Sequence, residues 1–327
     1  MATGLAYIGR IEALRPIEGA DRIESAEVVC GEGGRWSGVV KKGQFGLWQP
    51  CVAILQDAIV PQELGLDFLA SSNYRVKMAR FRGAPSECVI IDRSSAGVDA
   101  DLVVGTDVTD DMEITKYEKV LPGQIGGSPC GNFPTFLVKT DEPNFQTAGR
   151  LVSALRGKPW YATVKCDGSS TTAYKYQGKF GVCSRNLELT ESDCAFWRVA
   201  KKYNLAERLP EGVAVQFETC GPGIQKNPMG LKDVDGFAFN GFDIKGHAYY
   251  SFAELSVLCA EELGMPMVES TGWGSDFDLD SDELRKLAEG TYANGRQREG
   301  IVIRPQEEEW VGHARLSFKV INLLYKD

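Results

Sequence analysis

The sequence predicts an α+β protein in two parts: an all-β barrel or sandwich over residues 1–120 and, from about residue 144, a domain of antiparallel sheets with flanking helices. Three observations carry this. Across the first 120 residues the short apolar runs Tyr7-Ile8-Gly9-Arg10-Ile11, Val28-Val29-Cys30, Ser37-Gly38-Val39-Val40, Cys51-Val52-Ala53-Ile54-Leu55 and Val89-Ile90-Ile91 are separated by Gly, Pro and Asp clusters, the spacing of a small β domain. In the second half strands and helices are interspersed without the strict βαβ repeat of a parallel sheet. Between the halves, Leu121-Pro122-Gly123-Gln124-Ile125-Gly126-Gly127-Ser128-Pro129 is rich in Gly and Pro and lacks an apolar period, so residues 121–143 read as a linker.

A chain of 327 residues exceeds one ordinary core and fits two domains. At 43% hydrophobic and 25% charged residues it has a globular composition rather than a disordered one. No apolar run reaches about 18 residues and Met1-Ala2-Thr3-Gly4 has no signal-peptide pattern, so the expectation is a cytoplasmic protein, off the membrane and with no obligate protein partner evident. Nine cysteines, an odd number with no C-x-x-C spacing, argue against a disulfide framework and a zinc finger. With only His247 and His313 in the chain, imidazole acid–base schemes have little to work with.

The formal net charge of −9 is unfavourable for nucleic acid, so the placement of the cations matters. The run Asn73-Tyr74-Arg75-Val76-Lys77-Met78-Ala79-Arg80-Phe81-Arg82 holds four basic residues, two aromatics and no acid, a stripe suited to tracking a phosphate backbone. Gly31, Gly33 and Gly34 form a turn with no helix after it, and no G-x-x-x-x-G-K-[ST] occurs, so there is no phosphate loop.

In the second half a helix is expected from Asn144 through Leu151, Val152 and Leu155, stopped by Gly157 and Pro159. Further helices are expected from about Ser192 through Trp197 to Leu209, from Ser251 to Gly264 with Ser251 and Glu254 as a capping box, and over about Asp282 to Glu289. The run Val213-Ala214-Val215-Gln216-Phe217-Glu218 reads as a strand with Gln216 set apart from its apolar face.

Lys165-Cys166-Asp167-Gly168 is the stretch best placed for chemistry. It follows the extended run Trp160-Tyr161-Ala162-Thr163-Val164, so Lys165 sits at a strand end where an Asp-Gly turn begins, beside Asp167 if the strand runs that far. With a reference pKa of about 10.4, roughly one lysine in 2,500 is neutral at pH 7. A neighbouring aspartate favours the ammonium, so a lysine nucleophile here needs a second positive charge. A Mg²⁺ or Mn²⁺ held by Asp167 and other carboxylates would supply it.

Later in the chain stand Ser184-Arg185-Asn186, Phe217-Glu218-Thr219-Cys220-Gly221, Phe239-Asn240-Gly241-Phe242-Asp243-Ile244, Arg298-Glu299-Gly300-Ile301-Val302 and Ser317-Phe318-Lys319-Val320. Together with Lys165-Cys166-Asp167-Gly168, these blocks resemble, in order and spacing over residues 144–327, the covalent nucleotidyltransferases: polynucleotide ligases and RNA capping enzymes. The stretches Pro16-Ile17-Glu18-Gly19-Ala20-Asp21-Arg22-Ile23 and Val39-Val40-Lys41-Lys42-Gly43-Gln44-Phe45 resemble the N-terminal OB-type module of ATP-dependent RNA ligases of the Deinococcus and Naegleria type.

The resemblance implies an OB-type nucleic-acid-binding domain over 1–120 and a nucleotidyltransferase (adenylation) domain over 144–327. Lys165 would take AMP from ATP. Val164, Arg185, Glu218, Phe239 and Lys319 would line the nucleotide site, Phe239 stacking on adenine while Phe242 and Ile244 face the core, and Lys319 neutralising the α-phosphate. Asp167, Glu299 and Glu218 would hold Mg or Mn. Lys41, Lys42, Arg75, Lys77, Arg80 and Arg82 would meet a nicked RNA or RNA-containing duplex. Many relatives carry two lysines in the last block; here Ser317 takes the earlier position. A DNA ligase, a GTP-using capping enzyme or a non-catalytic binding protein are the alternatives. The first two normally continue into a further OB domain, whereas eight residues follow Lys319 here.

Overall fold

The computed structural model of the chain describes residues 4–117 and 123–325. It divides into two compact units, Met1–Lys119 with Pro143–Ser153, and Val120–Glu142 with Ala154–Asp327.

In the first unit five antiparallel strands lie in the order Gly34–Lys41, Ile23–Cys30, Ala6–Pro16, Pro50–Leu55 and Cys88–Asp92, and each contains one of the apolar runs picked out in the sequence. Alternate residues serve two cores. Tyr7, Ile11, Cys51, Ala53 and Leu55 pack with Val28, Trp36 and Ile90, while Ala6, Ile8, Val52 and Ile54 pack with Val60, Val76, Val108 and Ile114. Burial on both faces is why a run such as Cys51–Leu55 is apolar throughout instead of alternating. The sheet curls towards closure: the Ser37 carbonyl accepts from the Glu87 N–H at 2.7 Å, and the Val39 N–H donates to Ser86 Oγ at 3.1 Å. Gly38 permits that approach, since a Cβ there would lie 2.5 Å from Ile90 Cδ1.

The run 73–82 is not one strand. Asn73 and Tyr74 adopt left-handed backbone and end the 3₁₀ helix Asp67–Ser72; Arg75 makes a single antiparallel bridge to Ile59, and Ala79–Phe81 forms a hairpin with Ala84–Ser86. The helix expected from Asn144 forms in two pieces, Phe145–Thr147, capped by the Asn144 side chain on the Gln146 N–H, and Gly149–Leu155. Its first part belongs to the N-terminal unit, where the Arg150 N–H donates to Glu32 at 3.0 Å.

The second unit holds two antiparallel sheets. Seven strands run in the order Pro129–Asn132, Leu187–Leu189, Lys179–Cys183, Ser169–Tyr176, Val213–Cys220, Asp235–Asp243 and Ala248–Tyr249. Four run in the order Ser270–Gly274, Trp160–Lys165, Gly300–Pro305 and Phe318–Ile321. Helix Ala195–Lys202 buries Phe196 and Val199 against Val215, Phe217 and Ala238 of the larger sheet. This is the α+β arrangement expected.

Details differ from the sequence reading for physical reasons. Pro129–Asn132, read as linker, is an edge strand, where a proline costs no ladder bond. The helix expected over 192–209 breaks at left-handed Asn204 into Ala195–Lys202 and Leu205–Arg208. The Ser251/Glu254 capping box forms, and a second one, Asp280 with Glu283, starts helix Ser281–Ala288. Gln216 does not leave the core: it is buried, its amide donating to the Val138 carbonyl at 2.7 Å and accepting from Asn240 at 2.9 Å. All nine cysteines are unbridged and eight are buried. No helix among the described residues is long and apolar enough to cross a membrane.

Candidate active site

The strand Trp160–Lys165 ends at Lys165, and the chain then passes from the four-stranded sheet to the seven-stranded one, whose strand Ser169–Tyr176 follows. Lys-x-Asp-Gly is therefore the crossing between two sheets rather than a hairpin turn. Gly168 makes the crossing possible: a Cβ there would lie 2.5 Å from the Thr219 carbonyl and 2.8 Å from Glu218 Cγ. The turn is thus pressed against the strand that carries Glu218.

Register brings the rest together. Lys165 pairs with Gly300, which sets it beside Glu299, and its ammonium donates to both Glu299 carboxylate oxygens at 2.7 Å. Gly300 is required there, because a Cβ would fall 2.1 Å from the Val320 carbonyl. Thr163, Val302 and Lys319 are aligned across three strands, so Lys319 stands on the same face as Lys165. In the larger sheet Ser170, Glu218 and Phe237 are aligned, with Phe239 two residues on. Phe237 and Phe239 are half-buried beside Val164, Cys166 and Tyr292, whereas Phe242 and Ile244 are buried elsewhere in the core.

The electrostatics are lopsided. Three carboxylates, Glu299, Glu218 and Asp167, act on one ammonium. Burial alone would lower the Lys165 pKa, but these carboxylates outweigh it and hold the pKa above the ordinary lysine value. Burial lifts Glu218 to about 8, with Lys165 opposing and Glu299 and Asp167 reinforcing, while the Gly168 N–H bond lowers it. Glu299 is also raised, by burial, against the pull of Lys165. At rest Lys165 is an ammonium.

Clustered carboxylate oxygens suit a hard divalent cation, whose approach would favour the ionised form of Glu218. Among the described residues no three or more His, Cys, Asp or Glu side chains converge as direct ligands.

Two tyrosines outside every motif brace this cluster. The buried Tyr292 hydroxyl accepts from the Asp167 N–H at 3.2 Å and the Glu299 N–H at 3.4 Å, and donates to the Lys165 carbonyl at 3.3 Å. The Tyr325 hydroxyl donates to the Asp167 carboxylate. An isolated tyrosine in a loop or chain end gives the sequence reader no signal of this.

Arg185 lies in the loop after Lys179–Cys183, half-exposed and paired with Asp141 at 3.1 Å. Ser317 is buried and accepts from Arg304 Nε at 3.0 Å. Arg304, also buried, donates in addition to Glu142 at 2.8 Å and to the Phe239 carbonyl at 3.1 Å. A lysine at 317 would meet this cation.

In the N-terminal unit Lys41, Lys42, Lys77, Arg80 and Arg82 are exposed. Lys41 and Lys42 end a strand beside Arg22, and Arg82 reaches Gly19 in the loop between the first two strands. Arg75 departs from the expectation of a free phosphate ligand. Its side chain is 13% exposed, tied to Asp57 at 2.6 Å and set 3.9 Å from the Tyr117 ring centre.

A family model for RNA ligase matches residues 158–321, and a model for an OB-fold domain matches residues 5–92. No curated protein sequence matches the chain. Among solved structures, Naegleria gruberi RNA ligase with PPi is similar at 28% identity and a TM-score of 0.84, covering 98% of this chain and 97% of that one. A lysine-to-alanine mutant of that ligase with ATP and Mn gives 28% identity, a TM-score of 0.83 and 97% coverage of each chain. A glutamate-to-alanine mutant with AMP and Mn gives 28%, 0.83, and coverage of 98% and 97%.

Proposed function

The chain belongs to the RNA ligase family, and on that footing we propose that it is an ATP-dependent RNA ligase that seals 3′-hydroxyl/5′-phosphate breaks, nicks in duplexes above all, through lysyl-AMP on Lys165. The observation that carries the reading is the Lys165 ammonium held on Glu299, with Glu218 and Asp167 around it and the half-buried Phe237 and Phe239 rings in the same unit. The similar Naegleria gruberi ligase was solved with ATP, AMP, Mn and PPi, which supports ATP as the nucleotide and Mg or Mn as the metal.

In the first step the Lys165 Nζ lone pair attacks the α-phosphorus of ATP, the bond to the β-phosphate oxygen breaks, pyrophosphate leaves, and the amine gives up its proton. Asp167, Glu218 and Glu299 would hold a divalent cation, which would supply positive charge to offset the polyphosphate and weaken the carboxylates' hold on the Lys165 ammonium. Lys319, on the same face as Lys165, stabilises charge developing on the α-phosphate. Phe239 stacks on adenine, with Val164 packed behind it. Arg185 exchanges Asp141 for ribose or a strand-end phosphate. A 5′-phosphate oxygen then attacks the lysyl-AMP phosphorus and releases Lys165. A 3′-hydroxyl next attacks the activated 5′-phosphate, releasing AMP and joining the strands. Lys41, Lys42, Lys77, Arg80 and Arg82 contribute phosphate contacts from the N-terminal unit.

Incubation with each α-labelled nucleoside triphosphate and Mg²⁺, followed by a denaturing gel, tests this. Label from ATP alone is expected. Label from GTP would indicate capping instead, and none from any triphosphate would overturn the reading.

A further inference from the structure

Resting on the reading of this chain as an RNA ligase, we propose that Trp48 is a stacking platform for an unpaired nucleobase of the RNA. Trp48 lies on the loop between strands Gly34–Lys41 and Pro50–Leu55, six residues beyond Lys42, and is 58% exposed, next to Leu47 at 56%. The loop is fixed, not loose. The Trp48 N–H donates to the Ile11 carbonyl at 2.8 Å, the Ile11 N–H donates to the Gln49 carbonyl at 3.0 Å, and the Gln49 side chain accepts from the Gly46 N–H at 2.9 Å.

Held this way, Trp48 has φ +67°, a left-handed backbone that a bulky residue adopts only under constraint. A strained backbone that aims an indole into solvent gains the core nothing, so its use lies outside the fold. The Arg10 guanidinium sits 5.1 Å from the ring centre. A ring with a cation against it and more than half its surface open offers a flat π surface to one more flat group, with positive charge beside it.

An unpaired base with its phosphate matches both features, and base stacking on an aromatic side chain tolerates any base. Lys41 and Lys42, exposed at the start of the same loop, extend the positive charge. Gln49 continues from Trp48 into a groove of about 390 Å³ shared with Asp92, Arg93 and Ser94.

The test compares the full chain with its Trp48→Ala and Trp48→Phe variants for binding, by fluorescence anisotropy, to a single-stranded RNA and to an abasic oligomer of the same length. Trp48→Ala is expected to weaken RNA binding about five- to 150-fold. It should leave abasic binding unchanged, because stacking is lost and phosphate contacts are not, and Trp48→Phe should retain most of the affinity. Wild-type RNA binding by Trp48→Ala, or equal losses on both oligomers, would overturn the proposal. So would sedimentation showing a wild-type dimer that Trp48→Ala disperses, since the face would then be a protein contact. Labelling from ATP is followed in parallel. If no variant labels yet the RNA result holds, the ligase reading fails while the base platform stands; normal labelling with no RNA effect fails the platform alone.

Discussion

Two ion pairs in the C-terminal unit, Lys165 with Glu299 and Arg304 with Glu142, look alike on a distance criterion and differ in everything else. Arg304 is buried and spends its donors on Glu142, Ser317 and the Phe239 carbonyl, with Arg315 and Glu308 beside them, so two carboxylates face two cations. Lys165 faces three carboxylates, keeps about a quarter of its side chain open, and sits where two sheets meet. A balanced, saturated pair has nothing left to bind and serves the fold. An unbalanced pair with an opening leaves carboxylate oxygens available to an incoming cation.

The largest effects separate the two pairs. Lys165→Ala is expected to lower covalent AMP labelling at least about a thousandfold. Arg304→Met, which takes from buried Glu142 the cation bonded to it, should cost about 3–5 kcal/mol of stability in urea melts. A variant at 165 that still labels would show that another lysine is the nucleophile and collapse the comparison.

A smaller effect is expected at Tyr292. Tyr292→Phe keeps the ring in its cluster but removes the hydroxyl that links the Lys165, Asp167 and Glu299 backbones. Single-turnover adenylylation should slow about tenfold with KM for ATP unchanged, the mark of lost positioning rather than lost binding. A rise in KM alone would make Tyr292 part of the ATP pocket instead.

The smallest effect is on stability against pH. Glu218 has its folded pKa raised from 4.5 to about 8, so the folded state holds a proton that the unfolded state releases. The stability from this group is fully present below about 4.5 and is lost as pH rises through about 8. In metal-free buffer the wild-type melting temperature should fall over that window, and Glu218→Gln should flatten the fall. An identical slope in the variant would show that Glu218 is not the group responsible.

Much of this was legible in the chain because strands impose a period of two. Alternation marks the strands that end at Lys165 and carry Glu218, and register sets Lys319 on the face of Lys165 within one sheet while Glu218 comes from the other. What remained hidden depends on partners that no local pattern names. Arg75 reads as a phosphate ligand until Asp57 and Tyr117 enclose it. Gln216 reads as leaving the core until Val138 and Asn240 satisfy its amide inside it. Tyr292 and Tyr325 lie beyond the motifs and meet Asp167 only in three dimensions. Residues 129–142 have a linker's composition, yet they supply an edge strand, the Asp141 partner of Arg185 and the Glu142 partner of Arg304.

That last stretch bears on how the molecule can be taken apart. The chain belongs to the N-terminal unit up to residue 119, to the C-terminal unit over 120–142, to the N-terminal unit again over 143–153, and to the C-terminal unit from 154 onward. Three passages between the units mean that no single cut releases either one whole. A cut before residue 143 leaves the barrel without Phe145 and the Arg150 N–H that meets Glu32. A cut after residue 153 leaves the ligase sheets without Glu142, so buried Arg304 loses the carboxylate it is bonded to. Exchanging the barrel for that of another ligase therefore calls for a graft in two pieces, with residues 143–153 travelling alongside the barrel they pack on.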